Sequence, residues 1–166
     1  MKQNNKKKMI KKPENISKNI KISEISHNNS INGLPVGAYV TNISEFWSNG
    51  YYGTGIIIGI IDDGVDIKHP ALLRCPDKSK KVINEYNFVS GGRIANTNKE
   101  HGTAVAGLIT GFMTDGYRGL APNSRIYSFN VFDTNDEADP DDVVNAIHKA
   151  ISLGCHIINM SIGSPE

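Results

Sequence analysis

From Ile56 to Ile61 the chain is a run of isoleucines interrupted only by Gly59, with Gly55 before it and Asp62-Asp63-Gly64 after it. A run with no polar alternation suits a strand buried on both faces of a parallel sheet, not one with a wet face. Further strands are predicted at 81–89, 125–131 and 156–162. Helices are predicted at 101–113 and 139–153, and a short helical segment near 43–49. Strands alternating with helices make an α/β unit, here part of a doubly wound parallel sheet with helices on both faces and without the last strands of such a fold. No following element covers Ile157, Ile158, Met160 and Ile162, so one apolar edge is expected to stay open and to invite association.

The first 32 residues differ in kind. Lys2, Lys6, Lys7, Lys8, Lys11, Lys12, Lys18 and Lys21 alternate with Asn and Ser, a composition that buries too little surface to fold by itself. Residues 1–32 are therefore expected to be a disordered basic extension, and residues 33–166 the folded unit. Met9-Ile10 runs straight into Lys11-Lys12-Pro13, so the extension lacks the apolar core of a signal peptide. No run reaches membrane-spanning length. The lysines read as a solvated tail, because a nucleic-acid arm needs aromatics or a folded basic face; neither nucleic acid nor membrane is an expected partner. The chain as a whole has 166 residues, 39% apolar, with a net charge of +1, ordinary values for a globular protein. Cys75 and Cys155 lack metal spacing, and with no export signal they are expected to be reduced thiols in the cytoplasm.

Candidate chemistry sits at the ends of the predicted elements. Reactive groups of open α/β sheets lie just beyond the carboxyl ends of strands, and Asp62 is at such an end. A lone Asp there is most often a turn residue. His101 heads the small, apolar stretch Ala104 to Ile109, which puts it in the first turn of a packed helix. A helix start disfavours the imidazolium, and a buried carboxylate on one ring nitrogen would counter this while leaving the other nitrogen to take a proton from a hydroxyl. The pair carries the reading; neither residue carries it alone. Two decoys fall away. Gly53-Thr54-Gly55 precedes its strand instead of linking strand to helix, so it is not a dinucleotide loop. The acidic stretch Asp133, Asp136, Glu137, Asp139, Asp141, Asp142 has Ala138 and Val144 where a calcium loop needs Gly and Glu. Asp139-Pro140-Asp141-Asp142 reads instead as the start of a helix.

Five motifs in order resemble the signatures of the subtilisin-like serine peptidases. They are Asp62-Asp63-Gly64-Val65-Asp66, His69-Pro70, His101-Gly102-Thr103 with Val105-Ala106-Gly107, Gly119-Leu120-Ala121-Pro122, and Ile158-Asn159-Met160-Ser161-Ile162-Gly163. Leu34-Pro35 with Gly37, and Phe46-Trp47 with Gly50 and Gly53, are most similar to the bacterial intracellular subtilisins. The resemblance covers about residues 33–165, the first half of that catalytic domain. It implies a serine endopeptidase acting on polypeptides, with Asp62 as the orienting carboxylate and His101 as the general base. Ser161, Ile162 and Gly163 would form one wall of the peptide groove and Glu137, Ala138 and Asp139 the other. An acidic wall implies basic residues two to four positions before the cut.

The motif that carries the family's nucleophile, Gly-Thr-Ser-Met-Ala, and its oxyanion segment, Gly-Asn-Glu, do not occur in these residues. Peptidase activity of this chain alone is therefore expected to be negligible, with a separate C-terminal half as a possible partner. A non-catalytic peptide-binding fragment and an unfolded remnant remain alternatives. No cofactor is expected: calcium occurs in the family, but Ala71 stands where many members have Asp, and the loop from Phe112 to Arg118 offers only Asp115 as a strong donor. Asp63 stands where Ser or Thr is usual, a variant the kexin-like branch of the resembled family also shows, and a second carboxylate beside Asp62 is expected not to disable the site if it points outward. The resemblance also implies an inhibitory N-terminal strand, for which the alternating Asn19-Ile20-Lys21-Ile22-Ser23 is the candidate.

Overall fold

The chain is seen in a computed structural model that describes residues 9–11, 30–31, 34–35 and 41–163. In chain order its elements are β1 (Ile10–Lys11), β2 (Ser30–Ile31), β3 (Leu34–Pro35), α1 (Ile43–Ser48), β4 (Ile57–Asp62), β5 (Val82–Asn87), α2 (Glu100–Thr110), β6 (Arg125–Asn130), β7 (Glu137–Ala138), α3 (Pro140–Ser152) and β8 (Ile157–Met160). A 3-10 turn at Pro70–Leu72 follows β4. The isoleucine run forms β4 at the heart of a four-stranded sheet of order β5-β6-β4-β8. Every pairing in that sheet is parallel. The chain leaves β4 toward β5 and β6 and later crosses back to place β8 on its other side, so β4 lies at the point where the strand order reverses.

Successive residues of β4 serve opposite faces. Ile58 and Ile60 pack with Val65, Leu72, Val82 and Ile126 against Val105, Ala106 and Ile109 of α2. Ile61 packs with Phe129 and Val131 against Val143, Ala146 and Ala150 of α3. Gly59 lets α3 come close, since a Cβ there would lie 3.3 Å from the Ala150 methyl. The two-faced burial expected of β4 thus follows from one helix on each side.

The elements are shorter than the patterns predict. The predicted helix 101–113 stops at Thr110, because Gly111 turns to extended backbone (φ −54°, ψ 147°) and the Phe112 N–H goes to the Ala71 carbonyl. The predicted strand 156–162 keeps only Ile157–Met160, since its partner β4 runs out one residue after Ile61, which pairs with Met160. Ile157 and Met160 are about half exposed on β8, which is an edge strand among the described residues. Within the expected N-terminal extension, Ile10–Lys11 and Ser30–Ile31 form strands, β1 on β7 and β2 on β3. Asn19 to Ser23 lies outside the described residues. No described helix is long and apolar enough to cross a membrane.

One buried cation ties the core together in a way no sequence pattern announces. Lys81 is fully buried. Its ammonium donates to the Thr110 carbonyl, to Thr110 Oγ1 at 3.1 Å and to the Pro122 carbonyl at 2.7 Å. Burial pulls its pKa below the ordinary lysine value; the three oxygens oppose this by solvating the charge. Lys81→Met leaves two buried carbonyls without donors, and an unmet acceptor costs about 1–3 kcal/mol. Removing a desolvated charge offsets part of this, so a net loss of about 2 kcal/mol is expected. A urea midpoint unchanged in Lys81→Met would contradict that assignment.

Candidate active site

Asp62 ends β4 and His101 opens α2, and the fold brings the two together across 39 positions of sequence. His101 Nδ1 lies 2.7 Å from Asp62 Oδ1 and 2.9 Å from Oδ2. Both residues are sealed from solvent, at 1% and 0% exposure, so the contact is little screened. Asp62 is itself held in place: its Oδ1 accepts the Asp63 N–H at 2.8 Å. A carboxylate fixed this way selects the tautomer with the proton on Nδ1 and leaves Nε2 as the basic nitrogen.

Asp63 does not meet the condition of pointing outward, yet the contact between Asp62 and His101 is formed beside it. It is fully buried, its Oδ2 accepting the His101 N–H at 3.3 Å and its Oδ1 the Gly102 N–H at 2.7 Å. The reason is that α2 starts without a cap of its own: Lys99, the residue before it, makes no side-chain cap bond. Two orphan N–H groups at a helix start need an acceptor, and Asp63 supplies one from another element. Gly102 makes this approach possible, because its missing Cβ is the space taken by the Gly64 carbonyl. Thr103 adds a further tie, its Oγ1 accepting the Asp66 N–H at 2.8 Å.

The other candidate residues lie around the carboxyl ends of the same strands. Ser161 and Ile162 follow β8 directly, one step beyond the level of Ile61 and so beside Asp62. Ser161 Oγ accepts from Asn159 Nδ2 at 3.0 Å, and Ile162 packs on the α3 side of the sheet. Gly163 is exposed. Glu137 and Ala138 form β7, and antiparallel to it runs β1, with Ile10 opposite Ala138 and Lys11 opposite Glu137. Ile10 packs on the same cluster as Ile162 and Val143. Asp139 caps α3, accepting the Asp141 N–H at 2.8 Å with Pro140 in the first turn, as its sequence implies.

The acidic stretch is split by orientation. Asp133 and Asp142 are buried and turn onto Arg93, which also donates to the Glu137 carbonyl at 3.2 Å. Asp133 Oδ1 accepts the N–H groups of Asn135 and Glu137, and Asp142 takes the Ser90 hydroxyl at 2.7 Å. This knot ties the β7 backbone to the start of α3 through Arg93, and it turns Asp133 and Asp142 of the acidic stretch inward. Arg93 lies 40 residues or more from its partners, so no local pattern marks it.

Among the described residues, no group of three or more His, Cys, Asp or Glu is placed to hold a metal ion. The loop after α2 does not fit calcium. Ala71 offers no carboxylate and its carbonyl accepts the Phe112 N–H, while Arg118 sets a guanidinium 6.0 Å from the Phe112 ring. Cys75 and Cys155 are free thiols, and burial raises the Cys155 pKa, which keeps it protonated.

Known proteins share this arrangement of sequence. Subtilisin DY of Bacillus licheniformis is 32% identical over 134 residues, which is 80% of this chain and 46% of that protein. A thermostable alkaline protease of Halalkalibacterium halodurans is 30% identical over 158 residues, 95% of this chain and 40% of its own length. Subtilisin E of Bacillus subtilis is 32% identical over 133 residues, 80% of this chain and 33% of that protein. The chain thus spans less than half the length of the curated relatives it matches. The family model described as the subtilase family, Peptidase_S8, matches residues 53–166, from the turn before β4 to the last residue given, and the chain belongs to that family.

Proposed function

We propose that these residues carry the acid and base of a serine endopeptidase that cuts polypeptides, and that its nucleophile is a serine outside residues 1–166. Asp62 orients and stabilises His101, and His101 Nε2 takes the proton from the attacking hydroxyl and returns it to the leaving amine. The observation that carries the reading is the buried 2.7 Å contact between His101 Nδ1 and Asp62 at the carboxyl end of a parallel strand. Ser161 is not the nucleophile in this reading, since it continues directly from β8 and no hydrogen bond between it and His101 is seen among those described. A peptide lies between Glu137-Ala138-Asp139 and Ser161-Ile162-Gly163 and adds a strand to the wall, at β7 in place of β1. Basic residues two to four positions before the cut are favoured by Glu137 and Asp139.

A second reading, a peptide-binding module without catalysis, is favoured by one observation: β7 already takes an antiparallel strand, β1, with no nucleophile involved. A fluorophosphonate that labels activated serines separates the two. The chain alone is expected to stay unlabelled. Mixed or co-expressed with a polypeptide carrying a Gly-Thr-Ser-Met-Ala segment, it is expected to give a complex labelled on that added serine. Labelling of the chain alone would place a nucleophile within it and overturn the proposal. A stable complex that binds peptides yet never labels would leave the second reading.

A further inference from the structure

Two consecutive carboxylates hold His101 by two different handles. Asp62 grips the imidazole through Nδ1, and Asp63 grips the backbone through the N–H groups of His101 and Gly102. They are coupled to each other, because Asp62 Oδ1 also accepts the Asp63 N–H. Both are fully buried.

Resting on the acid and base reading above, we propose that Asp63 is a second positioning carboxylate for His101, fixing the base's backbone and placing a permanent negative charge at the positive end of α2. A cap needs only an oxygen acceptor, and Ser, Thr or Asn provides one without charge. A carboxylate does more. The first turn of a helix carries about half a positive charge, which disfavours a second positive charge on a ring in that turn. Asp63 cancels that field where His101 sits. It therefore makes the ring a stronger base, on top of what Asp62 does.

The remaining charges around this end of α2 do not replace it. Glu100 lies in the same first turn. Lys99, which would oppose Asp63, is ion-paired with Glu85 of β5. Asp66 is tied by its backbone N–H to Thr103, and its carboxylate accepts the Lys68 N–H at 2.9 Å. Asp62 and Asp63 both hydrogen-bond His101 with a carboxylate.

The test needs no nucleophile. The full chain, labelled with nitrogen-15, is titrated by long-range proton–nitrogen NMR, which reports each imidazole separately; His101→Gln identifies the resonance. Asp63→Asn and Asp63→Ser keep an acceptor and remove the charge. Each is expected to lower the apparent pKa of His101 by about half a unit or more, with His148 and His156 unmoved. Asp62→Asn is the control for the underlying reading and is expected to lower it as well. If His101 titrates as in the wild type in folded Asp63 variants, while Asp62→Asn lowers it, Asp63 is only a cap and the inference fails alone. If Asp62→Asn also leaves His101 unmoved, the acid and base reading fails and takes the inference with it. Should both Asp63 variants unfold, Asp63→Thr, which also keeps an acceptor without the charge, is read with the same two outcomes, because burial of His101 lowers its pKa by itself and only the difference from the wild type isolates Asp63.

Discussion

Asp62→Asn is expected to lower kcat of the serine-completed enzyme about 10⁴-fold with the fold intact, the scale seen when the orienting carboxylate of a serine peptidase triad becomes an amide. The side chain keeps its size, so the core around Ile60 and Ile61 is not disturbed. What changes is polarity. The amide can turn an N–H toward His101 Nδ1, and the ring then carries its proton on Nε2, the nitrogen that must accept one. The loss should fall on kcat, with KM nearly unchanged, because Asp62 is fully buried and its carboxylate is taken up by His101 and the Asp63 N–H, so it acts on the base and not on the bound peptide. Steady-state kinetics with a peptide substrate read this directly. A loss below 10-fold would mean that His101 is not the base, whatever the distance between them.

The large apolar elements were legible because burial on both faces leaves a signature in composition. The isoleucine run had to be a central strand, and the small residues after His101 had to be a closely packed helix; the strand-end position of Asp62 followed from the first. The start of α3 was legible for a local reason: Asp139, Pro140 and the acids after them act on N–H groups within one turn. Three features were not legible. β7 is a two-residue strand, too short to show any alternation, and its partner β1 comes from the far N-terminal part of the chain, with Ile10 opposite Ala138 and Lys11 opposite Glu137. Lys81 follows the exposed Lys78 and Lys80 in the sequence, and only the fold distinguishes the one whose ammonium meets three oxygens. The direction of Asp63 was not legible because it is decided by where α2 docks. A residue next to a strand-end Asp is expected to face the opposite way in a strand, but β4 ends at Asp62 and the chain turns, so both carboxylates reach α2.

That docking makes two glycines of the same helix opposite in effect. A helix gains up to about 1 kcal/mol when an interior Gly becomes Ala. At Gly107 nothing opposes the gain: a Cβ there meets only the Tyr117 hydroxyl, at an ordinary 3.6 Å. Gly107→Ala is expected to raise stability by up to about 1 kcal/mol. At Gly102 a Cβ would overlap the Gly64 carbonyl oxygen and come within 2.9 Å of Asp63 Oδ1. The first obstacle is backbone and cannot rotate away, so α2 must shift off the end of β4. Overpacking of this kind costs about 1–3 kcal/mol and more where backbone must move, which outweighs the helical gain. Gly102→Ala is therefore expected to lower stability by about 3 kcal/mol, as read by urea unfolding. It should also lengthen the His101 to Asp62 contact, since the imidazole is carried by the turn that moves. The downfield proton resonance of a carboxylate-bound Nδ1–H reports this in the folded fraction. Its persistence in Gly102→Ala, with stability near wild type, would show that α2 reaches Asp62 without needing the gap at Gly102.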